Sequence, residues 1–356
     1  MLYQIPKYIG KTLFITTVPI VLLVLGVDFL FGFIHELGGV GQGNFTTWNA
    51  FVYVAATLPR RLYELFPMTS LVGVLLGLGL LASHSELIVM RASGVSILRI
   101  TTIVFQWGMI LAVLMGLMGE FIVPKTEYWA DAYKVRARSD GQAVLTVKGT
   151  WVRDGNHYIH IAQIQGDAHM RGITDYEFDD TLTLKSVTSI EDALYTDGVW
   201  HLQEIHKSNM TPTQVTTEYK DKDVRTHLVD PHIMKVALVD PDDLSMRGLY
   251  QYADYLQDNG LDNKPYLLNF WKKALQPLAI MVMMLLSVPF IFGPLRSASM
   301  GLRLVAGIIM GFSFYVLSEI IGPLALVYQL PPFFAAIAPI IIFGLIGIVL
   351  GTRKNI

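Results

Sequence analysis

Six long stretches of the chain are apolar and nearly free of charge, and this feature limits the fold more than any other. A helix rises about 1.5 Å per residue, so about 20 apolar residues cross the ~30 Å hydrocarbon core of a bilayer. A hydrophobic share of 53% is also high for an ordinary soluble domain. We therefore predict an α-helical polytopic membrane protein with six transmembrane helices. The predicted spans are Thr12–Ile34, Leu58–Ala82, Ile97–Val123, Lys272–Phe292, Leu304–Pro323 and Phe333–Gly351.

The charged residues are concentrated in one block between the third and fourth spans. Lys125–Lys264 holds 15 of the 27 Lys and Arg residues and 23 of the 29 Asp and Glu residues. Polarity alternates with a period of two in this block, and Asp154-Gly155 and Asp197-Gly198 are hairpin signals. The pattern predicts an inserted all-β domain, a sandwich or jellyroll, with an open groove or an edge for strand addition. The predicted strands are Ala143–Lys148, Thr150–Arg153, Tyr158–Ile161, Gly172–Phe178, Thr181–Val187, Asp192–Tyr195, Val199–Ile205 and Val215–Tyr219.

An amphipathic helix is predicted between the last strand and the fourth span. Leu249, Tyr252 and Leu256 share one face, and Asn259-Gly260 ends the helix. The predicted organisation is therefore residues 1–123 with three spans and a cytoplasmic helix at about 84–94, residues 124–270 with the β domain and connecting helix, and residues 271–356 with three spans.

Basic residues in the short connections predict the orientation, because cytoplasmic loops carry an excess of Lys and Arg. The basic segments on one side of the predicted spans, which we call the inside set, contain a single acid, Glu86. This excess of positive charge predicts that both termini are in the cytoplasm and that the β domain is outside, which in a Gram-negative cell is the periplasm. Arg60, Arg61, Lys272 and Lys273 break the pattern at the outer ends of spans two and four: they either extend to lipid headgroups or face an anionic ligand. The inside set comprises Lys7, Lys11, Arg91, Arg99, Arg296, Arg303, Arg353 and Lys354.

Several kinds of chemistry are missing from the sequence. The P-loop pattern GxxxxGK[ST] is absent, so the chain does not hydrolyse nucleotide through such a motif, and its lack of cysteine excludes disulfides and thiolate metal sites. We expect neither a cofactor nor a metal. Asp28 and Glu319 are the candidates for ion-coupled transport, and the alternative for each is a hydrogen bond inside the helix bundle. Energy for any transport is thus expected from another subunit.

A short cytoplasmic helix between spans two and three is unusually apolar. Ser83 and Glu86 fit the S-x-x-E capping box, and Gly94 provides a C-terminal stop. Such a helix favours either the membrane interface or a groove on another protein. Glu86 serves as a cap, as a functional carboxylate, or as both. The residues predicted to receive energy from a partner are Glu86, Leu87, Met90 and Arg91.

Motifs spread over nearly the whole chain resemble those of the LptF/LptG permeases. They occur in the order and spacing of that family, and Tyr8–Thr12 and the fifth span are more similar to LptG than to LptF members. The matching motifs are Phe66-Pro67-Met68, Gly77-Leu78-Gly79, Ser85–Gly94, Phe292–Arg296, Gly322-Pro323-Leu324 and Pro331-Pro332.

The resemblance implies a permease subunit, not an enzyme, of an ABC-type exporter that extracts lipopolysaccharide from the inner membrane. It implies an LptF-like sister permease, an LptB-like ATPase dimer, an LptC-like single-span protein and a periplasmic bridge that receives the lipid; nucleic acid is no partner. It places Glu86 at the ATPase, and Arg60, Arg61, Lys134 and Arg136 at the lipid phosphates. One departure is that relatives can carry lysines near the outer end of span one, whereas this chain has no Lys or Arg from Thr12 to Pro59.

Two other functions remain open at this stage. A secondary transporter would use Asp28 or Glu319, and an assembly scaffold would use the β domain only to dock other proteins. Neither explains why an apolar helix is presented to the cytoplasm.

Overall fold

The structure is a computed structural model that describes residues 4–138, 150–165, 169–179, 181, 183–211, 214–226, 228, 241–295 and 298–352. Its described residues divide into two compact units, one within Met1–Glu36, Val54–Glu127 and Lys264–Ile356 and the other within Leu37–Tyr53 and Tyr128–Asn263. The helices are α1 (Ile5–Leu37), α2 (Thr47–Ser83), α3 (Glu86–Ala92), α4 (Ile97–Leu117), α5 (Val123–Arg138), α6 (Met246–Asp258), α7 (Lys264–Phe292), α8 (Met300–Val327) and α9 (Pro332–Thr352).

Among the described residues, six helical segments are long and apolar enough to cross a membrane, as predicted. They are α1, α2, the continuous segment Ile97–Arg138, α7, α8 and α9. A π turn at Met118–Ile122 joins α4 to α5 without a break. The helices are longer than the predicted spans, since hydrogen bonding continues the helix where hydropathy falls. The predicted domain boundaries at residues 123/124 and 270/271 remain predictions.

Helix α2 is the most buried of the six apolar segments that the structure describes. Its small residues allow two neighbours to approach closely: the Thr16 hydroxyl of α1 donates to the Gly73 carbonyl at 2.8 Å. A Cβ atom on Gly311 of α8 would lie 2.6 Å from Met68 Cγ. Such close contacts between small residues are the usual way in which helices pack in lipid.

Helix α1 is packed over only part of its length. Ile9, Gly10, Leu13 and Thr17 in its first half are buried, whereas Glu36 is the one buried residue of its second half, where about half of the side chains are exposed. The second half therefore presents an apolar surface that the helical unit itself does not cover.

The second unit contains an antiparallel sheet, which confirms the inserted all-β domain. Its strands are hydrogen bonded in chain order, and their buried side chains, among them Ile159, Ile173 and Trp200, form one core. The described strands are β1 (Thr150–Asp154), β2 (His157–Gln165), β3 (His169–Phe178), β4 (Leu184–Thr196), β5 (Val199–Thr211) and β6 (Gln214–Arg225).

One detail of the strand prediction is wrong, and one predicted strand lies outside the described residues. The predicted strands Thr181–Val187 and Asp192–Tyr195 fall on the single strand β4, which begins at Leu184. Pairing with β3 and β5 continues through residues between the two predicted strands, such as Ser189 and Ile190. The predicted strand Ala143–Lys148 falls outside the part of the chain that the structure describes.

The predicted turns and the amphipathic helix are present. Asp197 and Gly198 both have positive φ, 55° and 84°, in the two-residue loop between β4 and β5, as a type I′ hairpin requires. Helix α6 buries the face predicted for it and ends before Gly260 with its φ of 65°. The Asn259 side chain accepts a hydrogen bond from the Gly155 amide at 3.1 Å, which holds the end of α6 against the β1–β2 turn.

Candidate functional site

The start of α3 differs from the predicted capping box. Its N-cap is Ser85, with a φ of 61° and no hydrogen bond from its side chain to the helix. The Ser83 hydroxyl instead donates to the Leu80 carbonyl at 2.9 Å. The prediction fails because α2 continues through Ser83, whose hydroxyl is used by the last turn of α2.

The end of α3 is fixed by backbone hydrogen bonds, as predicted from Gly94. The Val95 amide donates to the Met90 carbonyl and the Gly94 amide to the Arg91 carbonyl, both at 3.0 Å. Gly94 has a φ of 89° and Val95 is buried. This is a Schellman motif, and it fixes the direction in which the chain enters α4.

The two faces of α3 differ in exposure. Leu87 is only 3% exposed and Met90 packs beside it against the core of the helical unit. Ile88 and Val89 are 63% and 62% exposed, and Arg91 is also exposed. The surface of α3 available to another protein is therefore formed by Ile88, Val89 and Arg91, while Leu87 and Met90 attach the helix to the bundle.

The Glu86 carboxylate lies at the accessible edge of α3. Its Oε1 atom is 3.9 Å from His84 Nδ1, and the Tyr8 hydroxyl near the start of α1 lies close to it. Glu86 thus meets residues from two other segments and takes no part in a capping box.

A group of charged side chains lies near the end of the spans that is opposite to α3. We call Asp28, Arg60, Arg61, Glu64 and Glu127 the ionic cluster. Arg60 Nε lies 2.7 Å from Glu64 Oε1, and Arg60 Nη1 lies 4.0 Å from Glu127 Oε2. Arg61 Nε lies 3.6 Å from Asp28 Oδ2 on α1, and Arg61 Nη1 lies 3.7 Å from Glu64 Oε2. Glu64 therefore joins the two guanidinium groups.

A second ion pair lies beside this cluster on α7 and α8. Lys272 Nζ is 3.5 Å from Glu319 Oε1, and Tyr315, on the same helix as Glu319, lies within electrostatic range of Asp28, Arg61, Glu64 and Glu319. Both acids considered for ion coupling, Asp28 and Glu319, are thus paired with cations.

The ionic cluster and α3 are separated by the thickness of a membrane. Arg61 and Ser83 lie on the same helix, 22 residues apart, which corresponds to about 33 Å at 1.5 Å per residue. This distance is close to the ~30 Å of a hydrocarbon core. The two candidate sites therefore lie about one hydrocarbon thickness apart along α2.

Comparison with known proteins assigns the family. The model of the family described as "Lipopolysaccharide export system permease LptF/LptG" matches residues 7–353. The chain belongs to the LptF/LptG family. It is 38% identical over 352 residues to the lipopolysaccharide export system permease protein LptG of Escherichia coli strain K12, an alignment that covers 98% of each chain. It is 33% identical over 346 residues to the LptG protein of Haemophilus influenzae, with 96% of each chain covered. The chain is therefore a lipopolysaccharide export system permease of the LptG type, and its six apolar helices make it a multi-pass membrane protein.

The other two basic residues predicted at the lipid path of this permease lie on α5, in the unit that contains the sheet. Lys134 Nζ lies 4.2 Å from the centre of the Tyr53 ring, and Arg136 is exposed. The ammonium of Lys134 makes a cation–π contact, and its neighbour Tyr133 accepts a hydrogen bond from Asn49 at 3.0 Å. The structure brings Arg60 and Arg61 together in one compact unit, through their shared partner Glu64, and it places Lys134 and Arg136 in the other unit.

Sequence reasoning missed Arg303, which it counted only as a cytoplasmic charge. The residue is 3% exposed, and its guanidinium donates to the Gly79 carbonyl at 2.5 Å and to the Leu295 carbonyl at 3.3 Å. A Cβ atom on Gly79 would lie 2.8 Å from Arg303 Cδ. The signal available in the sequence was Gly79 itself, because a glycine in the last turns of a helix leaves room for a large neighbour. The hydrogen bond from Arg303 to Gly79 therefore connects α8 to the last turns of α2, just before α3.

Proposed function

We propose that this LptG-type permease is one half of an ABC-type exporter in the bacterial inner membrane. It extracts lipopolysaccharide from that membrane and passes it to a periplasmic bridge, and a partner ATPase supplies the energy. Both termini are cytoplasmic and the β domain is periplasmic. The observation that supports this most is the arrangement of α2, with an apolar exposed helix after one end and paired guanidinium groups a membrane thickness away.

The exposed side of α3 is the proposed contact with the ATPase. Apolar side chains exposed on a cytoplasmic helix favour burial in a groove. Ile88 and Val89 would enter a groove on one subunit of an LptB-like dimer, with Glu86 and Arg91 at its edges. An LptF-like sister permease would present its own helix to the second ATPase subunit, and an LptC-like protein would add one further span.

The inner side of α3 is the proposed route for the force. Leu87 and Met90 pack into the helical core, and the hydrogen bonds around Gly94 connect α3 to α4. A movement of α3 would therefore displace α2 and α4 together and reduce a lipid cavity shared with the sister permease. Leu87 and Met90 transmit the movement without touching the ATPase.

The basic residues are the proposed contacts for the lipid phosphates. A guanidinium binds phosphate through two parallel hydrogen bonds, so Arg60 and Arg61 would hold the headgroup while the acyl chains occupy the cavity. Lys134 and Arg136 would receive phosphates at the entrance to the β domain. Expelling acyl chains into water costs about 0.8 kcal/mol per CH2 group, so the interior of the β domain would provide the onward path.

Reconstitution tests this function. The chain is assembled in vesicles with the proteins that co-purify with it, and transfer of lipopolysaccharide to a soluble periplasmic acceptor is measured. Transfer should require ATP. It should fall at least tenfold in the double variant Arg60→Ala, Arg61→Ala, because the proposed phosphate contacts are lost; a tenfold loss corresponds to about 1.4 kcal/mol. Transfer driven by an ion gradient without ATP would favour a secondary transporter. The absence of bound lipid and of transfer in the wild-type assembly would favour a scaffold.

A further inference from the structure

The ionic cluster carries more negative than positive formal charge. Arg60 and Arg61 contribute two positive charges, whereas Asp28, Glu64 and Glu127 contribute three negative charges. Four further charged side chains on neighbouring segments add two charges of each sign and leave the difference unchanged. They are Lys272, Lys273, Glu120 and Glu319.

We propose that Asp28 and Glu64 determine which lipid this permease accepts, by making entry depend on the charge and number of the phosphates. The proposal rests on the lipid role proposed above for Arg60 and Arg61. Both guanidinium groups already hold carboxylates, so an incoming anion must displace a carboxylate before it binds. An anionic phospholipid presents one phosphodiester with a single negative charge. This charge equals that of the carboxylate it displaces, so the exchange brings no electrostatic gain. A phosphate monoester carries a charge of about −1.5 to −2 at neutral pH and offers three acceptor oxygens. It therefore interacts more strongly with the guanidinium groups than the carboxylate that it displaces.

The geometry separates the carboxylates that can be displaced from the one that stays. Glu127 is buried, with only 3% of its side chain exposed, and remains beside Arg60. Glu64 and Asp28 are 30% and 32% exposed. Glu64 holds one guanidinium with each of its oxygens, so a ligand that replaces it must satisfy both arginines. A headgroup with several phosphate oxygens, or two phosphates, meets this demand.

Asp28 connects the binding of the lipid to the packing of α1 on α2. It lies in the half of α1 that has few buried side chains, so it can move away with that helix. A ligand that takes Arg61 from Asp28 releases an ion pair between α1 and α2. Lipid entry would therefore break the ion pair between Asp28 and Arg61, and loss of the same ion pair would open this side of the helical unit.

The experiment is a competition between two lipids. The full chain, with the proteins that co-purify with it, is placed in nanodiscs that contain equal amounts of lipopolysaccharide and phosphatidylglycerol. Native mass spectrometry then gives the ratio of the two lipids bound. Asp28→Asn and Glu64→Gln should each lower the ratio of lipopolysaccharide to phosphatidylglycerol about tenfold, mainly through added phosphatidylglycerol, a change that corresponds to about 1.4 kcal/mol.

Two control variants accompany the test. Asp28→Glu keeps the charge and should restore much of the wild-type ratio. Glu191→Gln removes an exposed carboxylate from β4 and should leave the ratio unchanged. A wild-type ratio in both Asp28→Asn and Glu64→Gln would overturn the proposal, and so would an equal loss of both lipids, which is the result expected if these carboxylates only hold α1 to α2.

Failure of this inference can be told apart from failure of the proposed function. If Arg60→Ala with Arg61→Ala removes lipopolysaccharide while the carboxylate variants keep the wild-type ratio, the arginines bind lipid and the carboxylates do not select it. If the double arginine variant keeps its lipopolysaccharide, the lipid role of the arginines itself is wrong.

Discussion

Replacement of the exposed apolar residues of α3 should release the ATPase without unfolding the permease. The double variant Ile88→Ser, Val89→Ser removes two side chains that are 63% and 62% exposed. Full burial of such a side chain contributes about 1.5–3 kcal/mol, so burial of the exposed part contributes about 1–2 kcal/mol for each residue. The loss of both corresponds to about 2–4 kcal/mol, or roughly a 30- to 700-fold weaker association.

The assay measures both retention of the ATPase and stability of the permease. The tagged chain is purified in mild detergent, and the amount of ATPase that remains bound is determined across a dilution series. Thermal unfolding of the permease should change little, because Ser has a helix propensity similar to those of Ile and Val. Retained ATPase should therefore fall while the unfolding temperature stays near the wild-type value.

Two comparisons make the result interpretable. Val215→Ser removes an apolar side chain of similar exposure, 60%, from β6 and should retain the ATPase. Leu87→Ala truncates a buried side chain and should cost about 2–5 kcal/mol of stability. The reasoning is refuted if Ile88→Ser with Val89→Ser binds the ATPase as the wild type does, or if it unfolds the permease as Leu87→Ala does.

Two further predictions concern stability. Arg303→Ala should lower the unfolding temperature in detergent, because hydrogen bonds from a charged donor to two buried backbone carbonyls are lost, each worth about 1.5–3 kcal/mol. Glu177→Gln should weaken the pairing of β3 with β4, measured by hydrogen exchange, at neutral pH but not at low pH. Hydrogen bonds from Ser186 and Lys185 lower the pKa of Glu177 from its ordinary value of 4.5, so its contribution is present above that value and is lost as the pH falls through the lowered pKa.

Each of these predictions has a control in the same chain. Arg99→Ala removes an exposed arginine from the first turn of α4 and should change the unfolding temperature far less than Arg303→Ala. Glu218→Gln removes an exposed carboxylate from β6 and should leave the exchange of β3 and β4 unchanged at every pH. Equal effects of either variant and its control would contradict the corresponding argument.

The elements of this protein could be predicted from sequence where one physical property determines them. An uncharged run of 20 residues allows few structures other than a spanning helix, and the turn at Asp197-Gly198 follows from the backbone angles that these residues tolerate. The extent of β4 could not be predicted in this way. Its continuation depends on pairing with β3 and β5, strands whose positions no local pattern contains.

The face of α3 illustrates a second limit. Helical periodicity places Leu87, Met90 and Arg91 on or beside one face, but it cannot say whether an apolar face meets the helical core or another protein. In this chain the core receives Leu87, which leaves Ile88 and Val89 exposed. A short helix with apolar residues on both sides has two partners, and only the packing of the bundle decides which side belongs to which.

The ionic cluster shows the same limit for charge. Glu64 could have been paired with Arg60 and Arg61 from sequence, because residues three and four apart are neighbours on a helix. Asp28 reaches Arg61 only through the packing of α1 on α2, and Glu127 reaches Arg60 only through the packing of the segment after α4. An arginine pair that a sequence presents as an exposed basic patch thus becomes, once the helices pack, a site where a phosphate must compete with carboxylates. Its affinity for an anion therefore depends on the acids around it as much as on the arginines themselves.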